Sequence, residues 1–305
     1  MGASIASEAR FYKGGPIFYA RASSSTTVLR GGFMIQHEEF RDHLERLGIL
    51  HGCSDRRERN QGFGYGRKGE VIANRGRFLR GVHPAFQIGA GVGMIWPRPG
   101  GEETIAVIGA SQGGEGMMAP RSGPACDVMI LMPGQMRAVG ANGREARYLF
   151  VATGDCIPVL MADPVTRTLA LVHASRESLL CAMPRQAVEY LGRYAGVDPE
   201  NLVVLFGPGI RTYELEHLTA ASDGDRQDGL RDYVTPNAAG TGVLFDLFGF
   251  ARHLVVSAGV PDSQIYEFAE IDTLTDERFA SHRRAKMTGE PEWRHAAVIG
   301  FAPDD

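Results

Sequence analysis

Cys156 and His173 are the two residues whose types and spacing bear most directly on chemistry. Between them, residues 157–162 and 168–172 have the β-branched, apolar character of two strands, and Asp163-Pro164-Val165-Thr166 supplies a turn. With Pro164 and Val165 as a two-residue loop, Cys156 falls opposite His173, on the same face and roughly 5 Å away at Cβ. A type I turn favours a bulge that would shift this register by one residue, and Pro158 interrupts the ladder beside the cysteine. A thiol beside an imidazole forms a thiolate–imidazolium pair, a nucleophile with a general acid at hand. The same side chains are also ligands for zinc or copper. Ordinary packing of a lone Cys and a lone His on strands is the competing reading.

The elements that must carry this pair are legible around it. Residues 38–50 place Phe40, Leu44, Leu47 and Ile49 at near-helical spacing. Residues 52–69 form a Gly- and Arg-rich loop that suits either anion binding or simple solvation. Strand-like runs follow at 104–108, 127–132 and 149–152, with a Gly-rich connection at 109–116 that matches no phosphate-loop pattern. A helix with proline in its first turn is expected over 184–194, then a buried strand at 202–206. A helix is expected over 242–258, stopped by Gly259, and a closing strand over 295–301. The order of elements predicts an α/β fold with a mixed β-sheet and flanking helices. One domain over residues 31–305 preceded by a Ser-rich arm at 1–30 is the expected organisation.

A 305-residue chain with 44% hydrophobic and 22% charged residues has the composition of a globular protein. Its formal net charge of -4 argues against nucleic acid or an anionic membrane as partner. No run approaches the roughly 20 apolar residues of a membrane span, and Met1 to Phe18 does not read as a signal peptide. Four cysteines without close spacing suit a reducing, cytoplasmic setting. A small-molecule substrate and a monomeric or homodimeric chain are expected.

The segment Thr153-Gly154-Asp155-Cys156-Ile157-Pro158-Val159-Leu160-Met161-Ala162-Asp163-Pro164 resembles the A-D-C-x-P-V-L-L-A-D-P segment of the YfiH/laccase-domain family. Leu169-Ala170-Leu171-Val172-His173-Ala174 is similar to its A-A-V-H-A-G-W-R-G strand, at the matching distance. Gly207-Pro208-Gly209-Ile210 with Tyr213-Glu214, and Phe279-Ala280-Ser281-His282-Arg283-Arg284 with Thr288-Gly289, resemble the G-P-x-I…Y-E-V and F-x-S-[YH]-R-R…T-G motifs. Weaker echoes lie at residues 51–56 and at Asn74-Arg75.

The resemblance implies an α/β fold, similar also to the deamidating toxins of the cytotoxic necrotizing factor type. In the family, a cysteine and two histidines converge on a metal, usually zinc. Implied activities are purine nucleoside phosphorolysis, adenosine deamination, polyphenol oxidation and editing of peptidoglycan precursors. Cys156 and His173 take two of the ligand positions, while Ile95–Glu102, where the family carries its first histidine, contains none; the nearest upstream is His83. Ser175-Arg176-Glu177-Ser178 replaces W-R-G, and Asp272 replaces a family cysteine.

The expected function is therefore small-molecule chemistry at Cys156 and His173, of the zinc-dependent nucleoside phosphorylase or deaminase kind. A metal-independent Cys–His hydrolase, acyltransferase or cyclase is the alternative, with Asp155 or Glu177 orienting the imidazole. Polyphenol oxidation is a further alternative, and a ligand-binding pseudoenzyme ranks last. Arg56, Arg283 and Arg284, with Ser281, are expected to hold an anionic part of the substrate.

Overall fold

A computed structural model describes residues 26–28, 34–94, 105–133, 146–216 and 229–302. Most of the Ser-rich arm and the whole of 95–104 lie outside those residues. The chain begins with β1 (Thr26–Val28), paired antiparallel with β2 (Met34–His37), then α1 (Glu38–Leu44) and β3 (Ile49–Ser54). Ile49 therefore opens a strand and does not belong to the helix, which ends through a 3-10 turn at Gly48, φ 67°. The Gly/Arg-rich stretch divides between the end of β3, two 3-10 turns and the start of α2 (Lys68–Val82).

Short strands β4 (Gly91–Gly93), β5 (Ile105–Val107) and β6 (Val128–Leu131) lead into β7 (Tyr148–Thr153), β8 (Ile157–Asp163) and β9 (Thr168–Ala174). After β9 come α3 (Arg176–Leu180) and α4 (Met183–Ala195). Pro184 sits in the first turn of α4, Ala187, Val188 and Leu191 form its buried stripe, and Gly196 at φ 66° ends it. The chain continues through β10 (Val203–Phe206), β11 (Thr212–Glu216), β12 (Val234–Pro236) and β13 (Gly242–Asp246). It closes with α5 (Leu247–Ser257), β14 (Ile265–Glu267), α6 (His282–Thr288) and β15 (His295–Phe301). The helix expected from 242 starts later: Val243 and Phe245 alternate as strand residues, and Asp246 caps α5 by accepting the Gly249 N–H at 2.9 Å.

The strands form two six-stranded sheets, ordered β1-β2-β3-β15-β7-β4 and β14-β10-β8-β9-β6-β5, and a three-stranded sheet β11-β13-β12. Alternation along the strands sorts their side chains into three apolar clusters. Cys53, Leu149, Val151, Ala297 and Ile299 of the first sheet meet Met129, Leu131, Leu160, Leu171 and Leu205 of the second. The opposite face of the first sheet, through Phe150 and Val298, packs on Phe78 and Leu79 of α2. The opposite face of the second, through Val159, Val172 and Val204, packs on α3, α4 and α5. The result is a four-layer helix–sheet–sheet–helix sandwich. Each fully buried Leu in it contributes on the order of 2–5 kcal/mol against truncation to Ala.

The β8–β9 hairpin corrects the expected register. Asp163 pairs with Thr168, so the loop is the four residues Pro164–Arg167. The Asp163 carboxylate accepts the Val165 and Thr166 N–H groups at 2.9 and 3.2 Å, and Arg167 takes φ 57° to re-enter the sheet. His173 consequently faces Pro158, and Cys156 sits two positions diagonal to it. A slip of two residues preserves the side-chain face, where a slip of one would have reversed it.

Candidate active site

Three adjacent strands of the second sheet, β8, β9 and β6, carry the site. Val128 pairs with Val172 across β6 and β9, which puts Asp127, the residue before β6, directly beside His173. The His173 backbone N–H donates to the Asp127 carbonyl at 2.8 Å, and the His173 Nδ1 lies 2.8 Å from Asp127 Oδ1. Cys156 occupies the bend before β8 and is partly exposed, while His173 and Asp127 are both buried at 4% exposure. By alternation all three residues share the face that meets the first sheet, since Leu160, Leu171 and Met129 of the same strands lie in the inter-sheet core.

Burial acts most strongly on the His173 imidazole and pushes its pKa down. The charge of Cys156, the hydrogen bond to Asp127, the hydrogen bond to Cys156 and the charge of Asp127 outweigh it and raise the value to about 9. The site thus brings together the Cys156 sulfur, an imidazole whose pKa its neighbours raise, and a carboxylate on the ring's Nδ1. The other two core cysteines differ: burial pushes the Cys53 and Cys126 thiols up to about 12.

The acid that contacts the imidazole is Asp127, in place of Asp155 or Glu177. Glu177 is exposed and pairs with Arg176. Asp155, 7% exposed, turns away from the ring: it accepts the Thr273 hydroxyl at 2.9 Å and the Arg283 N–H at 2.7 Å. Burial raises the Asp155 pKa, opposed by hydrogen bonds from the Arg283 N–H, Ser281 and Thr273. The Asp155 carbonyl also receives the Ile210 N–H at 2.8 Å. Asp155 therefore holds the bend that presents Cys156. Below the bend, His295 Nε2 sits 3.0 Å from Thr153 Oγ1 and 3.1 Å from the Pro208 carbonyl oxygen. A Cβ on Gly154 would stand 3.0 Å from the Arg294 guanidinium, and one on Gly209 would stand 2.8 Å from Ile157, so both glycines allow close approach.

The basic residues separate into two kinds. Arg56 and Arg284 both bind Glu290, each at 2.9 Å. Arg284 also donates to the carbonyls of Thr273, Leu274, Asp276 and Phe279, which makes it a structural clamp. Ser281, 2% exposed, caps α6 by accepting the Arg284 N–H at 3.0 Å. All three, expected to hold a substrate anion, are engaged by partners within the protein. Arg283 alone faces a groove.

Asp127 carried a signal in the sequence. A charged residue directly before the apolar run Val128–Leu131 parallels the Asp155-Cys156 pair before β8. What could not be read was that β6 is the neighbour of β9, since the pairing partners Val128 and Val172 lie 44 residues apart in the chain and meet only in the fold.

The zinc implied by the family finds no matching donor set among the described residues. Among the described residues no three His, Cys, Asp or Glu side chains come together in a group that could hold a metal ion. A catalytic zinc takes three protein ligands, and here the Asp127 carboxylate is engaged on His173 Nδ1. His83 accepts the Ala85 N–H at 3.2 Å, and the Ile95–Glu102 stretch lies outside the described residues. The copper clusters of a polyphenol-oxidising site likewise have no such group among the described residues.

A four-layer α/β sandwich of two six-stranded mixed sheets with flanking helices defines the class. The family described as multi-copper polyphenol oxidoreductase laccase matches residues 138–302, and the chain belongs to this YfiH-like family. The Bacillus licheniformis hypothetical protein YfiH shares its fold with a TM-score of 0.72 at 18% identity, over 90% of this chain and 98% of that one. YlmD from Geobacillus stearothermophilus gives a TM-score of 0.70 at 20% identity over the same shares. Among sequence relatives, purine nucleoside phosphorylase ORF3 of Streptomyces griseus is 27% identical over 72% of this chain and 78% of its own length. A purine nucleoside phosphorylase of Streptomyces coelicolor is 41% identical over 48% of this chain, which spans only 52% of that relative. No helix among the described residues is long and apolar enough to cross a membrane.

Proposed function

We propose that this chain is a small-molecule enzyme in which Cys156 is the nucleophile, His173 the general acid and base, and Asp127 the residue that orients the imidazole. The single observation that carries the reading is the 2.8 Å contact of Asp127 with His173 Nδ1, which leaves Nε2 for the cysteine side of the ring. In the forward step the Cys156 sulfur forms a bond to a carbonyl carbon of the substrate. The tetrahedral adduct then expels its oxygen, nitrogen or sulfur leaving group, which takes the proton from His173. Water, or a second nucleophile in a transfer reaction, gives its proton to the neutral imidazole and releases the acyl group from sulfur.

The names of the relatives support a second reading, purine nucleoside phosphorolysis at the same site. In that reaction phosphate displaces the base at the sugar carbon, and His173 protonates the departing purine. A screen of nucleosides with phosphate, then activated thioesters and amides, separates the two by product.

The direct test is competitive alkylation with iodoacetamide in the presence and absence of a chelator. Cys156 should react at least about tenfold faster than Cys53 or Cys126 and lose turnover in step, with no effect of the chelator. Equal labelling of the cysteines, or turnover that vanishes with the chelator while Cys156 stays unmodified, sinks the thiol mechanism.

A further inference from the structure

A groove of about 580 Å³ lies between α6 and the three-stranded sheet. Its lining includes Tyr213 and Glu214 from β11 and His282, Arg283 and Lys286 from α6. The Arg283 backbone N–H is bonded to the carboxylate of Asp155, which ties the start of α6 to the bend before β8. The groove's volume falls in the range of small-molecule sites, roughly 300–1,000 Å³.

The charges of the lining differ in how far they are committed. His282 is paired with Glu292, and Lys286 stands 3.5 Å from the same carboxylate with 67% of its side chain exposed. Glu214 accepts the Asn237 amide at 3.1 Å. Arg283 has no carboxylate partner among the described residues, in contrast to Arg56 and Arg284. Its guanidinium rests 4.8 Å from the centre of the Tyr213 ring. A guanidinium held by its face keeps its edge N–H donors in a planar fork, the geometry that matches a phosphate or carboxylate.

From this arrangement we infer that the groove is an anion-binding site: Arg283, with Lys286 at its rim, binds a phosphate or carboxylate group of a small molecule. The inference stands independently of the thiol mechanism. Phosphate and carboxylate share the recognition chemistry, and the probes distinguish them.

Phenyl phosphate and benzoate are titrated into the full-length chain, with binding read by calorimetry or ligand-observed NMR, and benzyl alcohol is the neutral comparison. At least one anion should bind and the alcohol should not, and the stronger of the two assigns the group. Arg283→Gln should weaken that binding by about tenfold, the usual effect of losing a charge-assisted hydrogen bond. Lys286→Gln, at an exposed position, should weaken it by about two- to threefold and decides the matter if Arg283→Gln does not fold. Absence of anion binding, or binding that neither variant weakens, overturns the subsite. The thiol mechanism is judged separately, by alkylation of Cys156 in the wild-type chain, so the two failures are distinct.

Discussion

Two buried histidines stand in the same sandwich and behave oppositely. His51 on β3 is 1% exposed, packs edge-on against Phe40 and accepts the His37 N–H at 3.2 Å. Burial, helped by the charges of His37 and Arg41, lowers its pKa to about 3. His173 on β9 is equally enclosed, yet the cysteine and aspartate beside it raise its pKa to about 9. Depth in the core does not decide whether an imidazole can work as an acid. The groups on the neighbouring strands decide it. His51 is a packing residue with one polar contact, and His173 has a carboxylate behind its ring.

The largest effect should come from making the second histidine resemble the first. Asp127→Asn keeps the side-chain volume but removes the charge behind the ring, and turnover should fall by about 10²- to 10⁴-fold. Its iodoacetamide profile should also shift, with His173 titrating lower. An unchanged pH profile would mean that Asp127 is only a structural contact. In the other direction, His51→Ala should cost about 2–4 kcal/mol by leaving a void and an unpaired His37 N–H. That loss would be read by urea denaturation, with Cys156 labelling as fast as in the wild type. If labelling slows, the two histidines are coupled and the contrast fails.

The smallest effect is in the pH dependence of stability, where the two residues have opposite signs. His173, raised above its usual 6.5, contributes stability that is complete below that value and is lost as pH climbs through about 9. His51, depressed to about 3, disfavours protonation, so its part of the stability falls as pH drops below 6.5 toward 3. Each proton accounts for a slope of at most about 1.4 kcal/mol per pH unit. Denaturation midpoints at several pH values should therefore show a flatter acid limb in His51→Ala and a flatter alkaline limb in Cys156→Ala. Superimposable limbs in all three proteins would contradict the assigned shifts.

Much of this was legible locally. The strand pair around Cys156 and His173, the proline-initiated α4, the buried β10 and the closing β15 all follow from apolar patterning and turn residues within short windows. The hairpin register was off by two residues, because Asp163 organises a four-residue loop through its own side chain. The pairing of the two chemical residues on one face survived, because side-chain direction in a strand repeats every second residue. The extent of α5 was misjudged where a strand period of two runs directly into a helical period, with Asp246 as the boundary. Asp155 and Arg56 owe their partners to distant segments, Thr273 and the Arg283 N–H for the first and Glu290 for the second, whereas Ser281 and Arg284 are engaged within α6 and its flanks.

By itself the sequence determined that Cys156 and His173 would lie on one face of a strand hairpin and that the chain would build an α/β fold. Those properties depend on side-chain type and on periodicity over a few residues. Tertiary structure alone decided that β6 lies beside β9 and brings Asp127 to the imidazole, and that Glu290 occupies two arginines while the third is left facing a groove. The Asp127–His173 and Arg56–Glu290 contacts join residues tens or hundreds of positions apart, and their energies exist only once the chain has folded. No local pattern records them.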